Sequence, residues 1–352
     1  MAIRAFGVWR LAFGVWCLAF GRAQRPRKTI ETPQMLDGHS DLDPRVRAGT
    51  VPSMSPSAAD FRHWEIPPLA VFEDAPGGLV RLRISTKLCH AEVYLHGAHI
   101  TQYGHPGGEP FLFLSADSHF APDKPVRGGV PVIFPWFGPR AGRPDSPAHG
   151  FARTLPWEVE ALTSDDRENI ALTLRLDAND ATHAHWPHEF VLRHRIAFGE
   201  SLDMQLEVEN ISNAPIQFEE ALHTYLAVCD VRQVSVTGLE NTAYLDKVEA
   251  FQRKVEGAEP IRITGETDRI YLSTRATCVL HDPALSRRLA VEKSGSDATV
   301  VWNPWIAKAK AMTDFGDDEW PAMLCLETAN TGDSAITLSP GAKHTMRATL
   351  RA

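Results

Sequence analysis

The sequence predicts an all-β protein, and three observations support this class. Short runs of alternating apolar and polar residues recur from about residue 61 to the end of the chain. Turn-forming Pro, Gly and Asn separate these runs. No long stretch has apolar residues at the i, i+3, i+4, i+7 spacing of an amphipathic helix. Antiparallel sheets packed as a large sandwich satisfy all three, so we predict one β-sandwich domain over residues 61–352.

Residues 1–60 lie outside this pattern. An apolar run at residues 11–21 is shorter than the roughly 20 residues that span a bilayer. With Arg4 and Arg10 before it, the run resembles a weak signal peptide. Residues 22–60 are rich in Pro, Arg, Asp and Ser and have no periodicity, which is typical of a disordered linker. We expect residues 1–60 to be a non-structural extension, and a cleaved signal peptide is the alternative.

The predicted strands follow one another along the rest of the chain. Most of them alternate between apolar and polar residues, as expected for strands with one buried face. They cover residues 79–84, 91–95, 170–176, 191–198, 202–209, 233–237, 276–280, 289–292, 323–326 and 335–338.

The charge and cysteine content exclude several classes of protein. The formal net charge is −8 and the pI is near 6.0, so neither a general nucleic-acid surface nor binding to anionic membranes is expected. The five cysteines are scattered and include no CxxC pair, which indicates free, mostly buried thiols of a reducing compartment and neither a disulfide framework nor a zinc site. Any anion site must therefore be a local cluster of basic side chains.

Residues 123–153 are the candidate for such a cluster. Prolines flank and interrupt the apolar run at 130–137, so the segment cannot be a helix. Glycines follow Arg127 and His149, and Arg153 closes the segment. Because glycine allows positive φ and close approach of the backbone to a ligand, we predict a rigid wall of a binding site for a polar, anionic molecule.

Three histidines, His183, His185 and His188, lie within six residues and suggest a metal site. Zinc requires three or four convergent ligands, and here Pro187 interrupts the group and no acidic or thiol partner accompanies it. We therefore expect solvated histidines in a loop and no metal site.

Two other single residues are candidates for acid–base chemistry. His223 lies in the run 221–226, where strand alternation places it opposite Leu222 and Leu226, on a face that could be open. The alternative is a core histidine held by a backbone hydrogen bond. Glu327 ends the apolar run 323–326, and burial would raise its pKa toward the range of a general base. Its alternative is a salt bridge to an arginine.

Asp268 and the aromatic stretch at 302–305 complete the candidates. Asp268 lies in a polar turn before a predicted strand, where most acidic residues are caps or solvated. Trp302 and Trp305, with Asn303 and Lys308, could form a platform for a sugar ring, although tryptophans are also common packing residues. The chain has no P-loop, GxGxxG or GxSxG, so nucleotide hydrolysis, hydride transfer and serine-esterase chemistry are without support.

Taken in order, these stretches resemble the glucose-6-phosphate 1-epimerase (hexose-6-phosphate mutarotase) family of the aldose 1-epimerase superfamily. The matching elements extend over roughly residues 60–350: Glu92–Ala98, Val126–Pro131, His149–Arg153, His223–Tyr225, Glu266–Arg269, Trp302–Trp305 and Leu326–Glu327. The resemblance implies a galactose-mutarotase-like antiparallel β-supersandwich with its site on the concave face.

The resemblance also implies roles for individual residues. His223 is expected to be the general acid at the ring oxygen, and Glu327 the general base at the anomeric hydroxyl. Arg127, Arg153 and Asp268 match substrate-binding positions, and His149 lies beside them. Such a reaction has no redox step, so no cofactor or metal is expected. Two guanidinium groups suit a phosphate, and the expected substrate is a sugar phosphate acted on by a cytoplasmic monomer.

Two alternatives remain open from the sequence. An aldose 1-epimerase acting on unphosphorylated sugar would be favoured by a true signal peptide and export, because sugar phosphates are cytosolic. A non-catalytic carbohydrate-binding protein could have the same fold. The presence of both His223 and Glu327 argues against this non-catalytic alternative, because sugar binding alone needs no acid–base pair.

Overall fold

The computed structural model describes residues 56–352, and β-strands dominate this part of the chain. Almost all of the predicted extension at residues 1–60 therefore lies outside the described residues. The described part begins with a short 3-10 helix, Ala58–Trp64, which crosses the predicted boundary at residue 60. The helices of residues 56–352 are all too short or too polar to span a membrane.

The strands are numbered in chain order, and the two α-helices within residues 56–352 are short. The helices are α1 (Asp180–His185) and α2 (Trp305–Ala311). The strands are β1 (Ala70–Ala75), β2 (Leu79–Ser85), β3 (His90–Tyr94), β4 (His99–Gly104), β5 (Val132–Ile133), β6 (Glu158–Ser164), β7 (Ile170–Asp177), β8 (Phe190–Phe198), β9 (Leu202–Asn210), β10 (Ile216–Phe218), β11 (Glu220–Leu222), β12 (Tyr225–Ala227), β13 (Ser235–Thr237), β14 (Ala243–Asp246), β15 (Gln252–Val255), β16 (Thr267–Tyr271), β17 (Cys278–Asp282), β18 (Arg287–Ser294), β19 (Ala298–Asn303), β20 (Met323–Asn330), β21 (Ile336–Leu338) and β22 (Lys343–Arg351).

These strands form three larger antiparallel sheets and one two-stranded pair, β10–β21, within residues 56–352. Sheet I has the order β1-β2-β3-β4. Sheet II has the order β13-β17-β18-β22-β9-β8-β7-β6. Sheet III has the order β15-β14-β16-β19-β20-β11-β5, with β12 also paired to β20. The prediction of an antiparallel, all-β sandwich is confirmed.

Sheet II shows why the alternating runs were recognisable in the sequence. Along β9, Met204 and Leu206 are buried, and Gln205 between them points to the other face. That other face carries ion pairs between neighbouring strands, such as Arg195 with Glu207 at 2.7 Å. One apolar face and one charged face give the period of two that predicts a strand.

A continuous core joins sheets II and III. It includes Leu206 and Met346 from sheet II and Leu324 and Leu326 from the centre of sheet III. A smaller cluster, which contains Val300 and Ala329, lies apart from this core. Because Ala329 is two residues beyond Glu327 on β20, both side chains point to the same face of sheet III. Glu327 therefore lies on the face of sheet III that carries this smaller cluster.

The segment 123–153 is non-helical except for a single 3-10 turn, Ala152–Thr154, as predicted from its prolines and glycines. Gly128 and Gly129 have φ values of +112° and +62°. A Cβ atom on Gly129 would lie 2.1 Å from the carbonyl oxygen of Ile100, so only glycine fits this approach. The close contact fixes the segment that carries Arg127 against sheet I.

We predict that His194 destabilises the protein in acid. His194 is fully buried on β8, and burial lowers its pKa from 6.5 to about 4. In the unfolded chain this histidine is protonated below about pH 6.5, whereas in the folded chain it is protonated only below about pH 4. The unfolded state therefore binds more protons in this interval, and stability is lost as the pH falls through it. In His194→Leu, the loss of unfolding free energy between pH 7 and pH 4.5 should shrink by about 2–3 kcal/mol.

Urea unfolding at the two pH values measures this difference. His63→Leu is the matched control, because His63 is exposed and its replacement should leave the acid-induced loss unchanged. A loss in His194→Leu equal to that of the wild type would contradict the assignment.

Candidate active site

Two buried side chains, His223 and Glu327, meet at the centre of sheet III. Glu327 lies within β20, opposite Val300 of β19. His223 lies between β11 and β12, and both of these short strands pair with β20. Nε2 of His223 is 3.3 Å from Oε1 of Glu327, and the two residues are 7% and 1% exposed. The break between β11 and β12 thus holds an imidazole beside the carboxyl group.

The local structure around both residues differs from the sequence prediction. Glu327 does not end its strand, because β20 continues through Thr328 to Asn330. The run 221–226 is not one strand, since it breaks at His223 and Thr224. The partner of Glu327 is a histidine, so the alternative of an arginine salt bridge is wrong.

Burial dominates the electrostatics of the pair. Burial raises the pKa of Glu327 well above its usual value; the charge of Lys247 opposes this shift, and that of Asp268 adds to it. Burial also lowers the pKa of His223 well below 6.5, and the cations Arg127 and Arg153 lower it further. Both shifts favour uncharged forms, so the pair favours holding a single proton, which can reside on either partner.

Arg127 lies beside the pair and is already partnered. Its guanidinium donates to Oδ2 of Asp314 from Nη2 at 3.0 Å and from Nε at 3.2 Å, and its Nη1 donates to the hydroxyl of Tyr225 at 3.0 Å. Burial opposes the charge, yet Tyr225 and Asp314 together keep the pKa of Arg127 above its ordinary value. Part of the donor capacity predicted for a ligand is therefore used within the protein.

Arg153 is different, because its side-chain hydrogen bond within the described residues is to a main-chain oxygen. Nη2 donates to the carbonyl of Ala148 at 2.7 Å. Its Nε is buried and has no hydrogen-bond partner among the described residues. Burial, followed by the nearby charge of Arg127, lowers the pKa of Arg153 to about 10, so the group stays charged at neutral pH. A charged donor without a carboxylate partner is suited to an anionic ligand.

His149 joins this cluster from the glycine-rich turn. Its backbone has a positive φ of 65°, and its Nδ1 accepts a hydrogen bond from the amide of Gly138 at 3.2 Å. Its ring lies 5.9 Å from the ring of His223 and 4.8 Å from that of Phe137. Burial, followed by the charge of Arg153, lowers the pKa of His149 well below 6.5, so the ring is neutral at physiological pH.

Asp268 also reaches the site, although its predicted position in a turn is wrong. It lies within β16, opposite Trp302 of β19, and is 7% exposed. Its Oδ2 is 3.1 Å from Nζ of Lys247, and the charge of Asp268 raises the pKa of Glu327. All six residues predicted for the site are thus brought together.

The aromatic stretch at 302–305 divides between the site and the packing around it. Trp302 lies edge-on to the ring of His223 at 6.1 Å. Trp305 instead packs on Trp320 at 4.2 Å, and the amide of Asn303 holds two main-chain carbonyls. Of the predicted platform, only Trp302 contacts the acid–base pair.

The three histidines at 183–188 do not converge. His183 and His185 end the short helix α1, and His183 pairs with Glu189 at 3.1 Å. Within residues 56–352, the group that could hold a metal ion is instead His223, Cys325 and Glu327.

Sequence reasoning missed three side chains of the site: Lys247, Asp314 and Cys325. Lys247 follows β14, and its amide donates to the carbonyl of Asp268 at 2.8 Å, so its place depends on strand pairing. Asp314 is 187 residues from its partner Arg127. For Cys325 a signal existed, since it is two residues before Glu327 and strand alternation places both on one face.

The chain matches known proteins over most of its length. The family model described as aldose 1-epimerase matches residues 80–351. A protein of Cenchrus ciliaris is 36% identical over 296 residues, covering 81% of this chain and 88% of that protein. A protein of Escherichia coli K12 is 36% identical over 244 residues, covering 69% and 81%. Both carry the provisional name glucose-6-phosphate 1-epimerase.

Solved structures have the same architecture. A protein of Salmonella typhimurium, provisionally described as a mutarotase, superposes with a TM-score of 0.76 at 31% identity, covering 82% of this chain and 94% of its own. A galactose 1-epimerase of Lactobacillus acidophilus superposes with a TM-score of 0.61 at 14% identity, covering 80% and 97%. At that low identity, the second likeness concerns the fold alone.

We predict that Lys247 lowers the pKa values of the imidazoles in the site. Its charge lowers those of His149 and His223, so Lys247→Met should raise both. NMR titration of the imidazole nitrogens in histidine-labelled protein measures the change. Lys254→Met is the matched control, because Lys254 pairs with Asp246 on β14 and should leave both pKa values unchanged. Unaltered titration of His149 and His223 in Lys247→Met would refute the assignment.

Proposed function

The chain belongs to the aldose 1-epimerase family and is an isomerase. From this membership we propose that it interconverts the α and β anomers of glucose 6-phosphate and related hexose 6-phosphates. The observation that carries the proposal is the buried contact of His223 with Glu327, 3.3 Å apart, beside the cation Arg153. An acid–base pair and an anion-binding group are the two requirements of this reaction.

In the proposed mechanism, the pair opens the sugar ring with one proton. Glu327 removes the proton of the anomeric hydroxyl while His223 gives its proton to the ring oxygen, and the bond between the anomeric carbon and that oxygen breaks. The aldehyde carbon turns about its bond to C2. His223 then takes the proton of the new hydroxyl as that oxygen attacks the other face, and Glu327 returns its proton to the carbonyl oxygen.

The proton count of the pair supports these roles. A neutral histidine with a protonated glutamic acid carries the same number of protons as an imidazolium with a carboxylate. Burial favours the first form in the free protein, and moving one proton gives the second, which is ready to act. Each ring opening and closure leaves one proton on the pair, so no external acid or base is consumed.

We propose that Arg153 provides the main charge for the phosphate. Asp314 and Tyr225 already take part of the donor capacity of Arg127. The buried Nε of Arg153 lacks a partner among the described residues. Asp268 would accept hydrogen bonds from sugar hydroxyls, and His149 would donate or accept them. Trp302 would contact the apolar face of the sugar ring.

The second candidate is epimerisation of unphosphorylated aldoses. The ion pair of Arg127 with Asp314 favours it, because this pair leaves fewer positive charges for a phosphate. The cellular setting follows the substrate. For a hexose phosphate we propose a monomer that acts in the cytoplasm, with catalysis confined to residues 61–352.

We predict that both members of the pair are required for activity. His223→Asn and Glu327→Gln remove the acid and the base, and each should slow α/β exchange of glucose 6-phosphate by about 100-fold or more. NMR magnetisation exchange measures the rate, and thermal melting verifies that each variant is folded. Exchange at the wild-type rate in either folded variant would refute the mechanism.

We predict that Arg153 determines the preference for phosphorylated sugar. A charge-assisted hydrogen bond contributes about 1.5–3 kcal/mol, so Arg153→Ala should raise KM for glucose 6-phosphate by about 10- to 100-fold. KM for glucose should change far less. Arg127→Ala is the comparison. Because Arg127 is already paired within the protein, its replacement should raise KM for glucose 6-phosphate less selectively than Arg153→Ala does. An equal change of KM for both sugars in Arg153→Ala would favour the second candidate.

A further inference from the structure

Cys325 is a third reactive group beside the acid–base pair, and the proposed reaction does not use it. It is fully buried and lies on the same face of β20 as Glu327. One ligand atom each of His223, Cys325 and Glu327 lies within 4.8 Å of the other two. An imidazole nitrogen, a sulfur and a carboxylate oxygen thus converge on one point.

Two of these side chains also carry a buried polar atom without a partner. Oε2 of Glu327 and Nδ1 of His223 are buried and have no hydrogen-bond partner among the described residues. Glu327 as a whole is 1% exposed. Burying such atoms without a partner costs free energy, and a bound ligand would recover part of it.

The set of donors selects the class of ion. Zn²⁺ binds nitrogen, sulfur and oxygen in a tetrahedral arrangement at about 2.0–2.3 Å, which places neighbouring ligand atoms about 3.3–3.7 Å apart. The 3.3 Å between His223 and Glu327 already fits this geometry. Ca²⁺ and Mg²⁺ prefer sites made of oxygen alone, so the thiol and the imidazole disfavour them.

Of the three cations that lower the pKa of His223, only Arg153 has no acidic partner among the described residues. Arg127 is paired with Asp314, and Lys247 with Asp268. Burial, followed by the charge of Glu327, raises the pKa of Cys325 well above its usual value, so the free protein holds the thiol protonated. On binding, the S–H bond of Cys325 breaks and the proton held by the pair of His223 and Glu327 also leaves. Both protons pass to solvent, and the metal forms bonds to the sulfur, to a carboxylate oxygen and to an imidazole nitrogen. The resulting thiolate and the carboxylate neutralise the two charges of the ion.

We propose that His223, Cys325 and Glu327 form a three-ligand site for Zn²⁺, and that its occupation inhibits the enzyme. A bound ion takes the lone pair of the imidazole and an oxygen of the carboxylate, so neither group can transfer a proton. The fourth position of the ion is left for water or a sugar hydroxyl. The inhibition rests on the proposed function, whereas the binding of the ion does not.

Binding is tested with Co²⁺, a spectroscopic substitute for Zn²⁺, added to the reduced full chain. The wild type should bind one equivalent and show the near-ultraviolet thiolate-to-cobalt absorption, and excess Zn²⁺ should remove this signal. Cys325→Ser should lose the absorption. The control, Cys229→Ser, replaces the partly exposed described thiol and should keep it. A wild-type protein without the absorption, or a folded Cys325→Ser that retains it, would overturn the site.

Inhibition is tested separately by titrating Zn²⁺ into the anomer-exchange assay. Cys325→Ser should need at least tenfold more Zn²⁺ for half-inhibition than the wild type and Cys229→Ser. Equal sensitivity of all three proteins would overturn the inhibitory role. If the chain binds Co²⁺ through Cys325 but has no exchange activity to inhibit, the proposed function fails while the metal site stands. Should Cys325→Ser not fold, Cys325→Ala replaces it, and the wild-type spectrum alone can still refute the site.

Discussion

The pairing of β20 with its neighbours is the constraint on which the rest of the site depends. Main-chain hydrogen bonds join this strand to β19 on one side and to β11 and β12 on the other. Because all eight of its residues are buried, its position cannot relax toward solvent. Glu327 is therefore held at a fixed depth, and the break between β11 and β12 brings His223 to it. The buried carboxyl group is tolerated because the partner is already in place.

The charges around the pair are arranged so that few of them remain uncompensated. Arg127 and Lys247 each have an acidic partner, so they shift the pKa values of the pair without leaving a large net charge beside it. Arg153 bonds only to a carbonyl in the contacts described. The uncompensated charge of Arg153 suits an anionic substrate. This local charge explains how a chain with a net charge of −8 can still bind an anion.

The sequence predicted those parts of the fold whose pattern is local. Strands such as β9 have one apolar and one charged face, so alternation reveals them. Around Asp268 the same reasoning failed, because the polar residues of β16 line a site and resemble those of a turn. The break at His223 has no local signal, since the run 221–226 is apolar throughout except for His223 and Thr224. The six site residues were candidates from their local sequence, and the resemblance to a family supplied their roles. Lys247 and Asp314 are brought to the site only by the three-dimensional fold.

The distance along the chain between the site residues has a consequence for how the protein folds. Arg127 and Asp314 are joined across 187 residues, and Ser115 bonds to Glu319 across 204. Contacts of such long range require closure of large loops, which slows folding and makes it a property of the whole domain. No fragment that ends before β20 contains both members of the acid–base pair. The acid–base pair is therefore complete only once β20 has entered the sheet.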